Sequence, residues 1–293
     1  MPLSPESSLH CQVTQTLIVA YKEDTQLLEA ALEREALKGE VIRQVHQPTY
    51  ENYARNALAM LNHCEAWKRA SQVKGLTLVV EADFVPVRGM GMLPLPMGPD
   101  NPNIGIAWLY TCAPQLYSVS EEGYAQGFSS AMVAYLITPA GAIALLDMAN
   151  DIRRSPGLDT YYSWDSKICD FLRERGFETF IPLRNYGEHG GYPNPEHRKY
   201  GLSVTHRADV LYGPLAFMPL YAQATPETAA ALNPWLAHIS YRVRFWGTRL
   251  YARIKGLGRL LMGKFVRGKV VRESSVPTWL LWFSIRRQLS WHL

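Results

Sequence analysis

A chain of 293 residues with 47% hydrophobic and 19% charged residues can bury one large core, alone or with a small appendage, which excludes a disordered chain. Its four cysteines, Cys11, Cys64, Cys112 and Cys169, form no CxxC pair, which argues against a disulfide scaffold or zinc knuckle and fits reduced thiols in a cytoplasmic protein. The net charge of +4 conceals an asymmetry: from Arg242 onward twelve Lys or Arg stand against Glu273 alone, so this end carries +11 and leaves −7 for residues 1–241.

The first residues, MPLSPESSLHCQ, place Pro5 and Glu6 where a secretory signal needs a basic patch and an apolar run, so export is not expected. No stretch reaches the roughly 20 apolar residues of a spanning helix. Gln15 to Ala20 reads as a strand, followed by a loop and an apolar-periodic helix from Gln26 to Lys38. From Glu51 to Gln72, Tyr53, Ala57, Leu61, Cys64 and Trp67 recur at steps of three and four, one stripe along a long helix that Gly75 ends.

Leu76 to Val80 (LTLVV) is an unbroken apolar run, as expected of a strand covered on both faces. Residues 86–103 are dense in Pro and Gly and read as loop. Strands are expected over Ile104–Thr111 and Ala131–Ile137. Thr138-Pro139 then offers an N-cap hydroxyl and a first-turn proline for a helix to about Asn150. Asp165 precedes another helix, Gly176 stops it, and FETFIPL reads as a strand. This alternation through residue 183 predicts an α/β fold with a mostly parallel, mixed central sheet flanked by helices. Asn185 to Asp209, rich in Gly, His and Pro, reads as a functional loop.

In open α/β sheets ligands sit beyond the carboxyl ends of the strands. Glu81 and Asp83 follow LTLVV at such an end, and a period of two puts both carboxylates on one side of extended chain. Two hard oxygen ligands there suit Mn²⁺ or Mg²⁺ shared with a diphosphate. The bland alternative is an acidic pair that caps a loop.

The succession of a helix carrying Asn62-His63 and Trp67, then LTLVVEADFVPV, then SSAMVAYLITPAGAIALLD, then an acid shortly before the next helix, resembles glycosyltransferase family 25, of the lipopolysaccharide-biosynthesis type. The likeness spans Gln15 to Leu183 and is most specific from Ala134-Tyr135-Leu136-Ile137 to Leu146. The family's strand ends in Glu-Asp-Asp, whereas the middle position here is Ala82. Metal binding by Glu81 and Asp83 survives that change, because Ala82 points to the opposite face. The resemblance implies a GT-A-like fold, a nucleotide-sugar donor such as a UDP-hexose, and inversion at the anomeric carbon.

Inverting transfer needs one general base. The resemblance puts an acid after the GAxxLL helix, where Asp159 and Asp165 compete. Asp159 is favoured, because Asp165 also serves as an N-cap. Gly187-Glu188-His189-Gly190-Gly191 offers backbone N–H groups for a phosphate and, in His189, a third metal ligand or a diphosphate partner. Ala20, Tyr21 and Lys22, just after the first strand, are where base and ribose are expected. Asn62 and His63, with Arg55 and Asn56, could face the donor from the long helix. A zinc hydrolase built on Glu188, His189, His197 and His206 is a further reading, although the histidine spacings do not match zinc-ligand patterns.

Residues 240–293 interleave bases with Trp, Phe, Tyr and Leu at helical steps, as at Arg242, Phe245, Arg249 and Arg253. Amphipathic helices with a cationic face are expected. They would lie on an anionic membrane, with packing on the core or nonspecific nucleic-acid binding as alternatives, and no specific nucleic-acid partner is expected.

The sequence therefore predicts a GT-A-like domain over 1–235 and a basic amphipathic segment over 236–293. The expected activity is metal-dependent inverting hexosyl transfer from a nucleotide-sugar donor to a saccharide or glycolipid acceptor, in the cytoplasm or at the inner membrane face. The alternative is a catalytically inactive GT-A-like sugar- or lipid-binding protein.

Overall fold

The computed structural model describes residues 7–193, 206–223, 234–267 and 277–289. The chain opens with a short helix α1 (Leu9–Gln12), strand β1 (Val13–Ala20), helix α2 (Gln26–Arg34) and strand β2 (Gly39–Arg43). Helix α3 (Arg55–Ala70) leads into β3 (Leu76–Glu81) and the short β4 (Phe84–Pro86). Then follow β5 (Ile104–Trp108), β6 (Gln115–Val119), β7 (Ala125–Phe128), β8 (Ala134–Ile137), α4 (Pro139–Arg154), α5 (Ile168–Glu174), β9 (Glu178–Ile181) and β10 (Gly187–His189). Two helices, α6 (Pro234–Leu261) and α7 (Thr278–Gln288), complete the described chain.

One mixed sheet runs β2-β1-β3-β8-β5-β9-β7-β6. Parallel pairs join β1 to β2 and β3, and β5 to β9. Strand β8 sits antiparallel between β3 and β5, and the β6–β7 hairpin runs antiparallel to β9. The run LTLVV is buried throughout its central residues because both faces are covered, yet the strand period still sorts its side chains. Val79, Tyr135 and Ile137 face the core under α3, α4 and α5; Leu78, Val80, Ala134 and Leu136 face a second core on the other side of the sheet. Fold class α/β, with helices flanking a central sheet, is as the sequence predicts.

Several boundaries move for local reasons. The expected helix from Gln26 stops at Arg34, where Ala36 takes a left-handed φ of 57°. The helix expected from Glu51 begins at Arg55, after a 3₁₀ turn over Pro48–Asn52. Asp165 opens a 3₁₀ turn rather than capping α5, and its carboxylate accepts from Ser166 N–H (2.9 Å) and Ser163 Oγ–H (3.1 Å). Thr138 behaves as expected: its Oγ1 accepts from Gly141 N–H at 3.1 Å and donates to the Ile104 carbonyl at 2.7 Å.

The C-terminal helices pack on the core by an arrangement that their amphipathic pattern does not suggest. Arg249 is wholly buried and ion-paired to buried Glu188 at 2.5 Å; Arg287 is buried against Asp209 at 2.6 Å. Arg253 is buried too, donating to the Gln288 side chain and carbonyl. Leu280 and Phe283 of α7 join the main core. The expected cationic face is thus partly the inward face.

Candidate active site

Strand β3 ends at Glu81, and the turn that follows presents Asp83 before the chain re-enters β4. The polar segment after residue 185, expected as loop, supplies β10, which pairs antiparallel with β4 so that His189 lies opposite Phe84. That register brings His189 to Asp83 across 106 residues of sequence, with Nε2 at 2.9 Å from Oδ2. Alternation along β10 then turns the neighbouring Glu188 the other way, into its pair with Arg249.

Among the described residues, Glu81, Asp83 and His189 are the one group of three whose ligand atoms lie within 4.8 Å of one another. All three are half-buried. Asp83 Oδ1 is buried without a hydrogen-bond partner, an orphan lone pair that a cation would satisfy. Two carboxylates and an imidazole fit Mn²⁺ and, less naturally through the nitrogen, Mg²⁺.

Burial drives the Asp83 carboxyl up, but the His189 charge and hydrogen bond, with Arg207 behind them, outweigh it and hold Asp83 below its ordinary value. Burial drives the His189 imidazole down, and the Asp83 carboxylate reverses this and lifts it to about 9. The pair is therefore an imidazolium–carboxylate contact at neutral pH, and a metal would have to displace that proton.

Glu81 is aimed by a relay. The Trp67 indole N–H, a donor only, gives to Tyr135 Oη at 2.8 Å; Tyr135 Oη lies 2.9 Å from His63 Nδ1, and His63 Nε2 lies 3.1 Å from Glu81 Oε1. The chain of donors is complete when Tyr135 donates to Nδ1 and the His63 Nε2–H donates to Glu81. His63 thus lines the cleft while both ring nitrogens are spent on positioning the Glu81 carboxylate.

A cleft of about 650 Å³ opens beside these residues, lined among others by Ala20, Tyr21, Gln44, Arg55, Asn62 and Asp83. Asn62 Nδ2 donates to the Ala20 carbonyl at 2.9 Å, tying α3 to the end of β1, and its Oδ1 is a buried acceptor without a partner. Lys22 is exposed and lays its amine over the Tyr21 ring, 4.8 Å from the centroid.

The glycines after His189 answer to close packing. Gly190 N–H donates to the Asp83 carbonyl at 2.7 Å, so it is not free to cradle a phosphate. A Cβ on Gly191 would fall on Asp83 Oδ2, inside contact distance. Gly191→Ala is expected to push that carboxylate off His189 and weaken manganese binding by about 10–100-fold with the fold retained, as calorimetric titration would read.

The two candidate bases separate. Asp159 is exposed, in a shallow groove with Tyr50, Tyr53 and Arg153 rather than in the cleft. Asp165 is half-buried: burial raises its carboxyl above the ordinary range, hydrogen bonds from Ser166 and Ser163 oppose the rise, and the Glu81 charge adds to it. Trp164 is buried against His63 and Trp67 with its N–H given to the Asn56 carbonyl.

The zinc-hydrolase set does not form among the described residues. Glu188 is wholly buried and committed to Arg249 and to the N–H groups of His189 and Ala208; His206 contacts Cys112; His197 lies outside the described residues. Sequence reasoning missed Arg207, whose guanidinium donates to the carbonyls of His189, His206 and Gly191 and stacks 4.0 Å over Tyr221, fixing the loop that carries His189.

No protein-family model matches the chain, and no curated protein sequence does. Among solved structures it is similar to a glycosyltransferase involved in glycosylation of the major capsid of PBCV-1, with 10% identity and a TM-score of 0.38 over 57% of this chain and 81% of that one. It is also similar to a mutant of Drosophila β-1,4-galactosyltransferase 7 in complex with manganese, UDP-Gal and xylobiose, with 13% identity and a TM-score of 0.33 over 64% and 74%.

Proposed function

We propose that this protein is a metal-dependent glycosyltransferase that moves a hexose from a nucleotide sugar, a UDP-hexose by the family-25 resemblance, to a saccharide or lipid-linked acceptor with inversion. The observation that carries the proposal is the convergence of Glu81, Asp83 and His189 at a strand end, beside a cleft walled by the residues that follow β1. Mn²⁺ or Mg²⁺ bound there would neutralise charge building on the diphosphate leaving group.

The chain's own groups then divide the work. Asn62 lines the cleft with a buried, unpartnered Oδ1 that suits a donor group of base or ribose, and the exposed Tyr21 ring offers a face beside it. His63 and Tyr135 hold Glu81 in its ligating orientation. We favour Asp165 over Asp159 as the base, because a carboxyl raised by burial and by Glu81 takes an acceptor proton more readily than an ordinary aspartate. Asp159, with the tyrosines of its groove, sits where an acceptor sugar could be steadied.

The test is UDP release from a panel of UDP-hexoses with added acceptors, with and without Mn²⁺. Metal-dependent release is expected. Because the metal displaces the proton that Asp83 holds on His189, manganese affinity should rise about tenfold per pH unit from pH 7 and level off near pH 9. UDP and manganese binding without turnover of any donor would instead favour an inactive sugar-binding protein, for which the alanine at position 82 is the suggestive feature.

A further inference from the structure

Helix α6 is turned inside out relative to an ordinary surface helix. Its arginines at 249 and 253 are buried, while an apolar stripe of Val243, Trp246, Leu250, Ile254, Leu257 and Leu261 faces solvent at steps of three and four. Val243 is 65% exposed, Ile254 60% and Leu261 87%. Over 28 residues the helix runs about 40 Å, far more apolar edge than scattered surface leucines need. Folding does not account for the stripe, since polar bonds to Glu188 and Gln288 hold this stretch of helix down. On α7, Trp279 and Trp282 are likewise more than half exposed.

We propose that the outward stripe of α6, together with the exposed tryptophans of α7, is a docking surface for an anionic lipid bilayer. Three observations select a bilayer. Exposed Arg242, Arg244, Lys255 and Lys264 accompany the stripe, and residues 234–267 and 277–289 contain no Asp or Glu. A second copy of the same face would set these like charges against each other, whereas lipid phosphates neutralise them, each base contributing about 1 kcal/mol near such a surface. The exposed rings are Trp235, Trp246, Trp279, Trp282 and Tyr251, the two side-chain types that favour the headgroup boundary. No helix among the described residues is long and apolar enough to span a membrane, so the segment would lie in the interface plane.

Adjacent residues make the link to the cleft: Leu250 points outward while Arg249 grips Glu188, the neighbour of His189. Docking would therefore set the orientation of the site to the bilayer, and the inference holds whatever the cleft turns over.

The experiment is co-sedimentation with vesicles of about 30 mol % phosphatidylserine against pure phosphatidylcholine, with tryptophan emission read in parallel. Wild type should partition to the anionic vesicles with a blue shift. Leu250→Ser with Ile254→Ser, and separately Arg244→Glu with Lys255→Glu, should each weaken partitioning at least about tenfold with circular dichroism and Tm retained, because all four side chains are exposed. Failure to bind anionic vesicles, equal binding to neutral ones, or equal binding by the stripe variant would overturn the proposal. So would a dimer in sedimentation velocity that the stripe variant dissociates, which would assign the surface to a second copy, or loss of the apolar surface to an acidic protein partner in place of lipid.

Discussion

Asp83→Ala is expected to lower kcat/KM for manganese-dependent transfer by at least about a thousandfold, roughly 4 kcal/mol of transition-state stabilisation. Asp83 is the hinge of the site. Its Oδ2 holds His189, its Oδ1 is buried and unpartnered, and its carbonyl anchors Gly190. Removing the carboxylate deletes one ligand and frees a second to wander, so metal affinity and activity should fall together. The His189 imidazole should also lose most of its elevation, since the Asp83 charge and hydrogen bond are the larger part of what lifts it; its titration by NMR would drop from about 9 toward the ordinary value, burial then being opposed only by the Glu81 charge. Asp83→Asn separates the contributions by keeping the shape and a hydrogen bond while losing the charge, and should resemble alanine in activity. The side chain is half-buried at a turn, so Tm should change little. An Asp83→Ala protein with wild-type turnover would remove the metal from the mechanism.

Legibility in the sequence follows the range of the interactions involved. The strand at Leu76–Glu81 and the Thr138-Pro139 helix start were readable because each is set by its own residues and immediate neighbours. Glu81 and Asp83 were readable as a pair for the same reason. The partnership with His189 could be suspected from its glycine-rich surroundings, but β10 is three residues long and carries no periodicity; only its pairing with β4 creates the site. Short edge strands such as β2 and the β6–β7 hairpin left no signal for a related reason: sheet pairing rather than propensity makes them.

Arginine misleads most. A lone Arg207 in a polar stretch reads as surface, yet three carbonyls and an aromatic ring surround it. In α6 the helical periodicity does not show which side faces in: Arg249 and Arg253 are buried while Arg242 and Arg244 of the same basic pattern stay exposed. That depended on Glu188, 61 residues away, and on Asp209, whose carboxylate holds Arg287 of the neighbouring α7 from 78 residues away. A charged side chain goes inward only where an opposite charge is waiting, and one-dimensional patterns do not show the partner.

Glu188→Ala is expected to cost about 3–5 kcal/mol of folding stability, read as a fall in the urea midpoint. Both members of the Glu188–Arg249 pair are fully buried, and Nε and Nη2 of Arg249 have no hydrogen-bond partner, so deleting the carboxylate strands a guanidinium whose Nη1 keeps only the Ala208 carbonyl at 2.7 Å. The contrast is Lys68–Glu65 on the surface of α3, about half exposed on each side, where Glu65→Ala should change stability by less than about 1 kcal/mol. Desolvation makes the difference between the two pairs, because an exposed lysine regains water and a buried arginine does not. Replacing both partners by apolar residues, Glu188→Leu with Arg249→Met, should therefore recover most of the loss, since no uncompensated charge remains. The Glu188 carboxylate also accepts from the His189 and Ala208 N–H groups, so even the rescued double variant should bind manganese more weakly than wild type. If α6 were an appendage with its own separate role, Glu188→Ala would leave the urea midpoint of the core untouched; a large fall means that the basic helix is part of what the metal site is built on.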